Sequence, residues 1–169
     1  MLPIVLDPSV LRIGVAGRGE GLSRRLKMLE RAGVTPAVVF HTAPTAQDIA
    51  TLRVLFVAGL DDATSEAVAK IARAAQVFVN VEDRPELCDF HVPAQVRRGD
   101  LVLTVSTGGR APGLASALRQ ELEESFGPEW DARLDRLARQ RLAWREEGLS
   151  PAEVSKRTRA VLDDEGWLA

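Results

Sequence analysis

A chain of 169 residues with 46% apolar side chains can bury one sizeable core and append a small second unit. Its net charge of −2, from 22 Lys and Arg against 24 Asp and Glu, gives no electrostatic reason to expect nucleic acid or a membrane surface and points to a small-molecule partner. The single cysteine, Cys88, cannot close an internal disulfide, no apolar run approaches the roughly twenty residues of a membrane span, and the Met1-Leu2-Pro3 start lacks the regions of a signal peptide, so a cytoplasmic location is expected.

Leu11 to Ala16 (LRIGVA) is a short apolar run of the kind found in strands buried on both faces. Gly17-Arg18-Gly19-Glu20-Gly21 follows it and opens a helical pattern over Leu22 to Ala32, where Leu22, Leu26 and Leu29 recur at helical spacing and Gly33 is placed to end the helix. Ala37 to Phe40, Val54 to Ala58 and Val77 to Val81 read as further buried strands, and Asp62 to Ala75 repeats the helical design. Strand and helix in alternation, joined by right-handed crossovers, predict an α/β fold with a mostly parallel sheet of Rossmann type and helices on both faces. After Pro93 one more strand is expected over Leu101 to Ser106, then a helix from Ala111 to Phe126 stopped by Gly127-Pro128. Beyond it, Trp130 to Glu146 reads as helical, and Ser150-Pro151-Ala152-Glu153 is a capping box opening a last helix. The expected domains are residues 1–93, 94–127 and a C-terminal helical region, 128–169.

In the glycine loop, Gly17 supplies the tight turn of a dinucleotide site and Gly19 a close backbone approach to the pyrophosphate. Leu22 stands where a small residue usually lets helix and strand pack closely, so Gly21 must take that role or the packing is looser. The acid expected about twenty residues on is missing, and His41 and Thr42 occupy the end of the second strand. A nucleotide-binding loop and a structural βα turn both fit. Asp83, at the carboxyl end of VFVNV and on the same sheet edge as the loop, is the sharper catalytic candidate, although Glu82-Asp83-Arg84-Pro85 also reads as an ordinary turn. Ser106-Thr107-Gly108-Gly109-Arg110 is either a strand-to-helix connector or a loop of exposed donors suited to a carboxylate-rich ligand. Two histidines and one cysteine far apart in sequence make no metal site of familiar spacing.

Asn80-Val81-Glu82-Asp83, Phe90-His91-Val92-Pro93-Ala94, Arg98-Gly99-Asp100-Leu101 and Ser106-Thr107-Gly108-Gly109-Arg110-Ala111-Pro112 resemble, in order, the motif string of the precorrin-2 dehydrogenase and sirohydrochlorin ferrochelatase family. That family comprises the N-terminal module of siroheme synthase and its free-standing relatives. The resemblance runs from Leu2-Pro3 through the glycine loop and Asp61-Asp62 to Leu122, and is weak after Gly127. It implies NAD-dependent dehydrogenation of precorrin-2 to sirohydrochlorin, and in bifunctional members metal insertion as well. It further implies Asp83 as general base, Gly17, Arg18, Gly19, Glu20, Gly21, His41 and Thr42 at the cofactor, and Thr107, Gly108, Gly109 and Arg110 at the tetrapyrrole. A homodimer built through the strand and helix of 94–127 is implied too, with precorrin-2 expected from a separate methyltransferase. A tetrapyrrole-binding or chelating protein without redox activity, and a nucleotide-sensing module, are the competing readings.

Overall fold

The computed structural model describes residues 2–168, leaving Met1 and Ala169 outside the described residues. Between Val92 and Pro93 the chain divides into two compact units. In the first, β1 (Ile13–Gly17), β2 (Val38–Phe40), β3 (Val54–Ala58) and β4 (Phe78–Val81) form one parallel sheet in the order β2-β1-β3-β4. Val15 stands in register with Val39 on one side and Phe56 on the other, and Phe56 in turn with Asn80. The two central strands are buried at every position, which is why they read as unbroken apolar runs rather than alternating ones.

One face of this sheet is covered by α1 (Gly19–Arg31), whose Leu22 and Leu29 pack with Ile13, Val15, Val54 and Phe56. On the other face α2 (Ala46–Ile49) and α3 (Asp62–Ala74) bring Ile49, Val68, Ala69 and Ala72 against Leu55, Val57, Val79 and Val81. Full burial of each Leu, Ile or Val here contributes roughly 1.5–3 kcal/mol against the cost of ordering the chain. Gly33 ends α1 with φ 72°, but α3 ends differently: Gln76, which carries a Cβ, adopts φ 57°. Its strain of about 1–2 kcal/mol is offset by the N–H of Gln76 on the Arg73 carbonyl and that of Val77 on Ala72, which close the helix end.

β4 lies at the edge of the sheet, yet its outer edge is occupied. After a single 3-10 turn at Pro85–Leu87 the chain runs back beside the strand. The Cys88 Sγ accepts the Val81 N–H (3.2 Å), the Asp89 carboxylate accepts that of Val79 (3.0 Å), and Asn80 Nδ2 donates to the Phe90 carbonyl (2.9 Å).

In the second unit, β5 (Ala94–Arg98) and β6 (Leu101–Val105) make an antiparallel hairpin turning through Gly99 at φ 55°. The sequence pattern yields only one strand in this region. β5 escapes it because AQVRR buries Val96 alone, and its strand state depends on pairing with β6. α4 (Pro112–Ser125), α5 (Glu129–Glu146) and α6 (Pro151–Asp164) follow, the last opened by the capping box of Ser150 and Glu153. Arg98 ties the hairpin to the end of α4 by donating to the carbonyls of Phe126 (2.8 Å) and Glu123 (3.2 Å), two acceptors that the helix terminus leaves free. Trp130 is the buried aromatic of this unit, next to Phe126 and Trp167, and the Arg133 guanidinium lies over both indole rings.

Candidate active site

The parallel order of the first sheet sends all four carboxyl ends to one edge, so the loops after β1, β2, β3 and β4 share it. Gly17 closes β1 so near β3 that an added Cβ would overlap the Ala58 carbonyl, which itself accepts the Arg18 N–H at 3.2 Å. Gly19 then turns the chain with φ 61° into α1. Gly21 is buried, and a Cβ on it would fall 2.7 Å from Glu82 Oε2 and 2.8 Å from the Gly59 nitrogen. It is therefore Gly21 that lets helix and sheet approach closely, while Leu22 turns into the core. Thr45, Asp61 and Ser150 cap α2, α3 and α6 with their side chains, but Arg18 does not cap α1. The first-turn amides of Gly19 to Gly21 thus have no side-chain cap, with Gly19 and Glu20 exposed and Gly21 tucked against β3, a cradle that fits a dinucleotide pyrophosphate. His41 and Thr42 stand exposed just beyond β2.

Asp83, two residues past the end of β4, is exposed, with its backbone in the left-handed region at φ 59°. A residue with a Cβ rarely takes this conformation, and such strain recurs where a side chain must be aimed. The next residue fixes the turn. Arg84, its side chain only 24% exposed, reaches Asp62 (2.8 Å) and Glu66 (2.9 Å) on α3 and also pairs with Glu86. Those carboxylates, Glu86 first, raise the Arg84 pKa above its ordinary value. A cleft of about 290 Å³ opens here, lined among others by Arg24, Gly59, Ser65, Glu82, Asp83 and Arg84.

Glu82, which the turn reading passed over, sits between Asp83 and the glycine loop. Its side chain is 19% exposed and pairs with Arg24 of α1 at 3.3 Å. Fifty-eight positions separate those two residues in sequence, so only the packing of α1 on the sheet reveals the pair. Arg18 pairs with Asp61 at 3.5 Å, and Asp61 is held below its ordinary pKa chiefly by the Thr64 N–H and hydroxyl.

Thr107, Gly108, Gly109 and Arg110 belong to the second unit and form the connection from β6 into α4. Gly108 and Gly109 take φ 64° and 78°, Ser106 Oγ accepts the Gly108 N–H, and Thr107 Oγ1 accepts that of Ala111 at 3.2 Å. Arg110 is exposed and has no ion-pair partner among the described residues. The first unit thus brings together Gly17 to Gly21, Asp83, Glu82 and Arg24, while Thr107 to Arg110 make a separate donor loop in the second. Among the described residues no group of three or more His, Cys, Asp or Glu converges to hold a metal ion, and no helix is long and apolar enough to cross a membrane.

A family model described as "Putative NAD(P)-binding" matches residues 4–94, and one described as sirohaem biosynthesis protein central matches residues 98–125. The chain is 41% identical over 128 residues to the siroheme synthase of Methylobacillus flagellatus, covering 64% of this chain and 27% of that protein. To the siroheme synthase of Thiobacillus denitrificans it is 33% identical over 171 residues, covering 90% and 36%. The siroheme biosynthesis protein met8 of Schizosaccharomyces pombe is 31% identical over 103 residues, covering 61% and 39%. The chain therefore spans between 27% and 39% of the length of these curated relatives. A solved structure of SirC, precorrin-2 dehydrogenase, superposes with a TM-score of 0.74 at 22% identity, over 100% of this chain and 93% of that one, a likeness of fold.

Proposed function

Because this chain belongs to the NAD(P)-binding family and joins that domain to a siroheme-biosynthesis central segment, we propose that it oxidises precorrin-2 to sirohydrochlorin with NAD. The observation that carries the reading is the shared sheet edge, where an uncapped, glycine-lined helix start lies beside an aspartate fixed in a left-handed turn. Precorrin-2 loses a hydride and a proton in this reaction, and the products are sirohydrochlorin, NADH and that proton. The bound nicotinamide supplies the hydride acceptor. The chain's own residues bind, orient and move the proton. The amides of Gly19 to Gly21 hold the pyrophosphate, Gly17 and Gly21 keep the loop tight on β3, and His41 and Thr42 border the ribose. Asp83, exposed at the cleft, accepts the macrocycle proton. Arg84 keeps the turn rigid through its carboxylates on α3.

The donor loop Thr107 to Arg110 takes carboxylates of the tetrapyrrole, with Arg110 as its free cation. The second unit pairs with its counterpart in another copy of the chain. A two-stranded hairpin is marginal on its own, α4 buries no residue, and Leu114 and Leu118 remain 54% and 43% exposed. Sedimentation at micromolar concentration is expected to show a homodimer; a monomer removes this part of the reading.

The deciding experiment is an anaerobic assay with enzymatically made precorrin-2, NAD or NADP, and absorbance detection of sirohydrochlorin. Formation that requires the nicotinamide supports the proposal, and its absence at saturating cofactor sinks it. Adding ferrous or cobaltous ion after completion tests for metal insertion above the spontaneous rate, with Asp83 as the acceptor of pyrrole protons.

A further inference from the structure

Among the described residues of the first unit, one partly buried cation has no carboxylate partner. Arg25 lies half-buried on α1, its guanidinium 5.0 Å from the centroid of the Phe56 ring, which Phe90 meets edge-on. Its Nε is enclosed and bonded to nothing, and its one hydrogen bond among the described residues runs from Nη1 to the Met28 thioether at 3.5 Å. Sulfur is a weak acceptor, so the enclosed Nε has given up water and the guanidinium has gained no oxygen among the described residues. Its neighbours are treated otherwise: Arg24 pairs with Glu82 and Glu20, Arg73 with Asp89, and Arg84 with three carboxylates. The preceding residue, Arg24, reaches Glu82 next to Asp83, and Phe56 beneath the Arg25 guanidinium stands in register with Asn80 of β4, so the cation lies on the α1 face of the sheet that leads to that turn. Nη2, which makes no hydrogen bond among the described residues, is the donor that an oxyanion would engage.

We propose that Arg25 receives a carboxylate of the tetrapyrrole beside Asp83, and so sets how the macrocycle is seated against that residue. The inference rests on the reading of the site given above. A cofactor phosphate is the other oxyanion at this edge, but Arg25 is four to six residues beyond Gly21 and Gly19, about 6–9 Å along the helix from the amides that cradle the pyrophosphate. The substrate, with its ring of carboxylates, is the anion that extends so far.

The test is binding to the full chain, read without turnover. Sirohydrochlorin is titrated by absorbance and NAD by calorimetry against wild type, Arg25→Gln, Arg25→Met and Arg25→Lys, each checked by thermal melting. Met retains the packing on Phe56 and covers the case in which Gln loosens the fold. The expected result is a tenfold or larger weakening for sirohydrochlorin in the Gln and Met variants, partial recovery with Lys, and unchanged NAD affinity. Wild-type sirohydrochlorin affinity in folded Gln or Met variants overturns the inference alone, as does a loss confined to NAD. Failure of the wild-type chain to bind sirohydrochlorin overturns the reading of the site as well.

Discussion

Asp83→Asn preserves side-chain size and tolerates the left-handed backbone at φ 59°, while removing the charge. Because the residue is exposed, no cavity opens and the fold and dinucleotide affinity are expected to stay as they are. Turnover should fall by about 10²–10⁴, the usual worth of a positioned acid or base, equivalent to about 3–5 kcal/mol of transition-state stabilisation. Asp83→Gly relaxes the backbone and Asp83→Ala burdens it by on the order of 1 kcal/mol, so the melting temperature should rank Gly at or above Asn, with Ala lower by about 2–4 °C. The assay is single-turnover formation of sirohydrochlorin under anaerobic conditions, beside melting curves of all three variants. If the charge is what matters, Asn, Gly and Ala lose activity alike despite their different stabilities. Wild-type turnover by the Asn variant refutes the role of Asp83 in proton transfer, and activity that follows the melting order would reduce the residue to a turn.

Gly21→Ala places a methyl group 2.8 Å from the Gly59 nitrogen, a backbone atom that cannot yield cheaply, so destabilisation of about 1–3 kcal/mol and weaker NAD binding are expected in denaturant titration and calorimetry. Unchanged values would mean that α1 can slide outward freely. Gly19→Asp puts a strained backbone and a negative charge at the uncapped start of α1 and should weaken NAD at least tenfold, whereas unaltered affinity would leave the loop a plain turn. Asp61, whose carboxyl pKa is depressed in the fold by Thr64, contributes stability that is present above its unfolded value and is lost as the pH falls below about 3.9 towards the folded value. Melting curves across that range should therefore drop more steeply for the wild type than for Asp61→Asn, and parallel curves would deny Asp61 a part in the acid transition.

The sheet was legible because burial on both faces writes β1 and β3 as apolar runs, and Gly33 marks the end of α1 with its own backbone freedom. What stayed hidden depends on contacts distant in sequence. AQVRR becomes a strand only against Leu101–Val105, and α2 is too short for a periodicity, its one signal being the box of Thr45 and Asp48. At the site, the glycines and Asp83 stand out by residue type and position. The left-handed turn at Asp83 and the orphaned Arg25 do not, since each is defined by what surrounds it in space.

The returning segment Cys88 to Phe90 also decides where the sheet stops. With the outward N–H groups of Val79 and Val81 already taken, β4 offers a neighbouring molecule no template for strand addition. The opposite border, β2, is only three residues long. Neither margin invites lateral growth into aggregates, so a crowded solution of this chain meets a sheet finished at four strands. Variants that unfasten Asp89 or Cys88 should betray themselves first as precipitation on concentrating, before any change in melting.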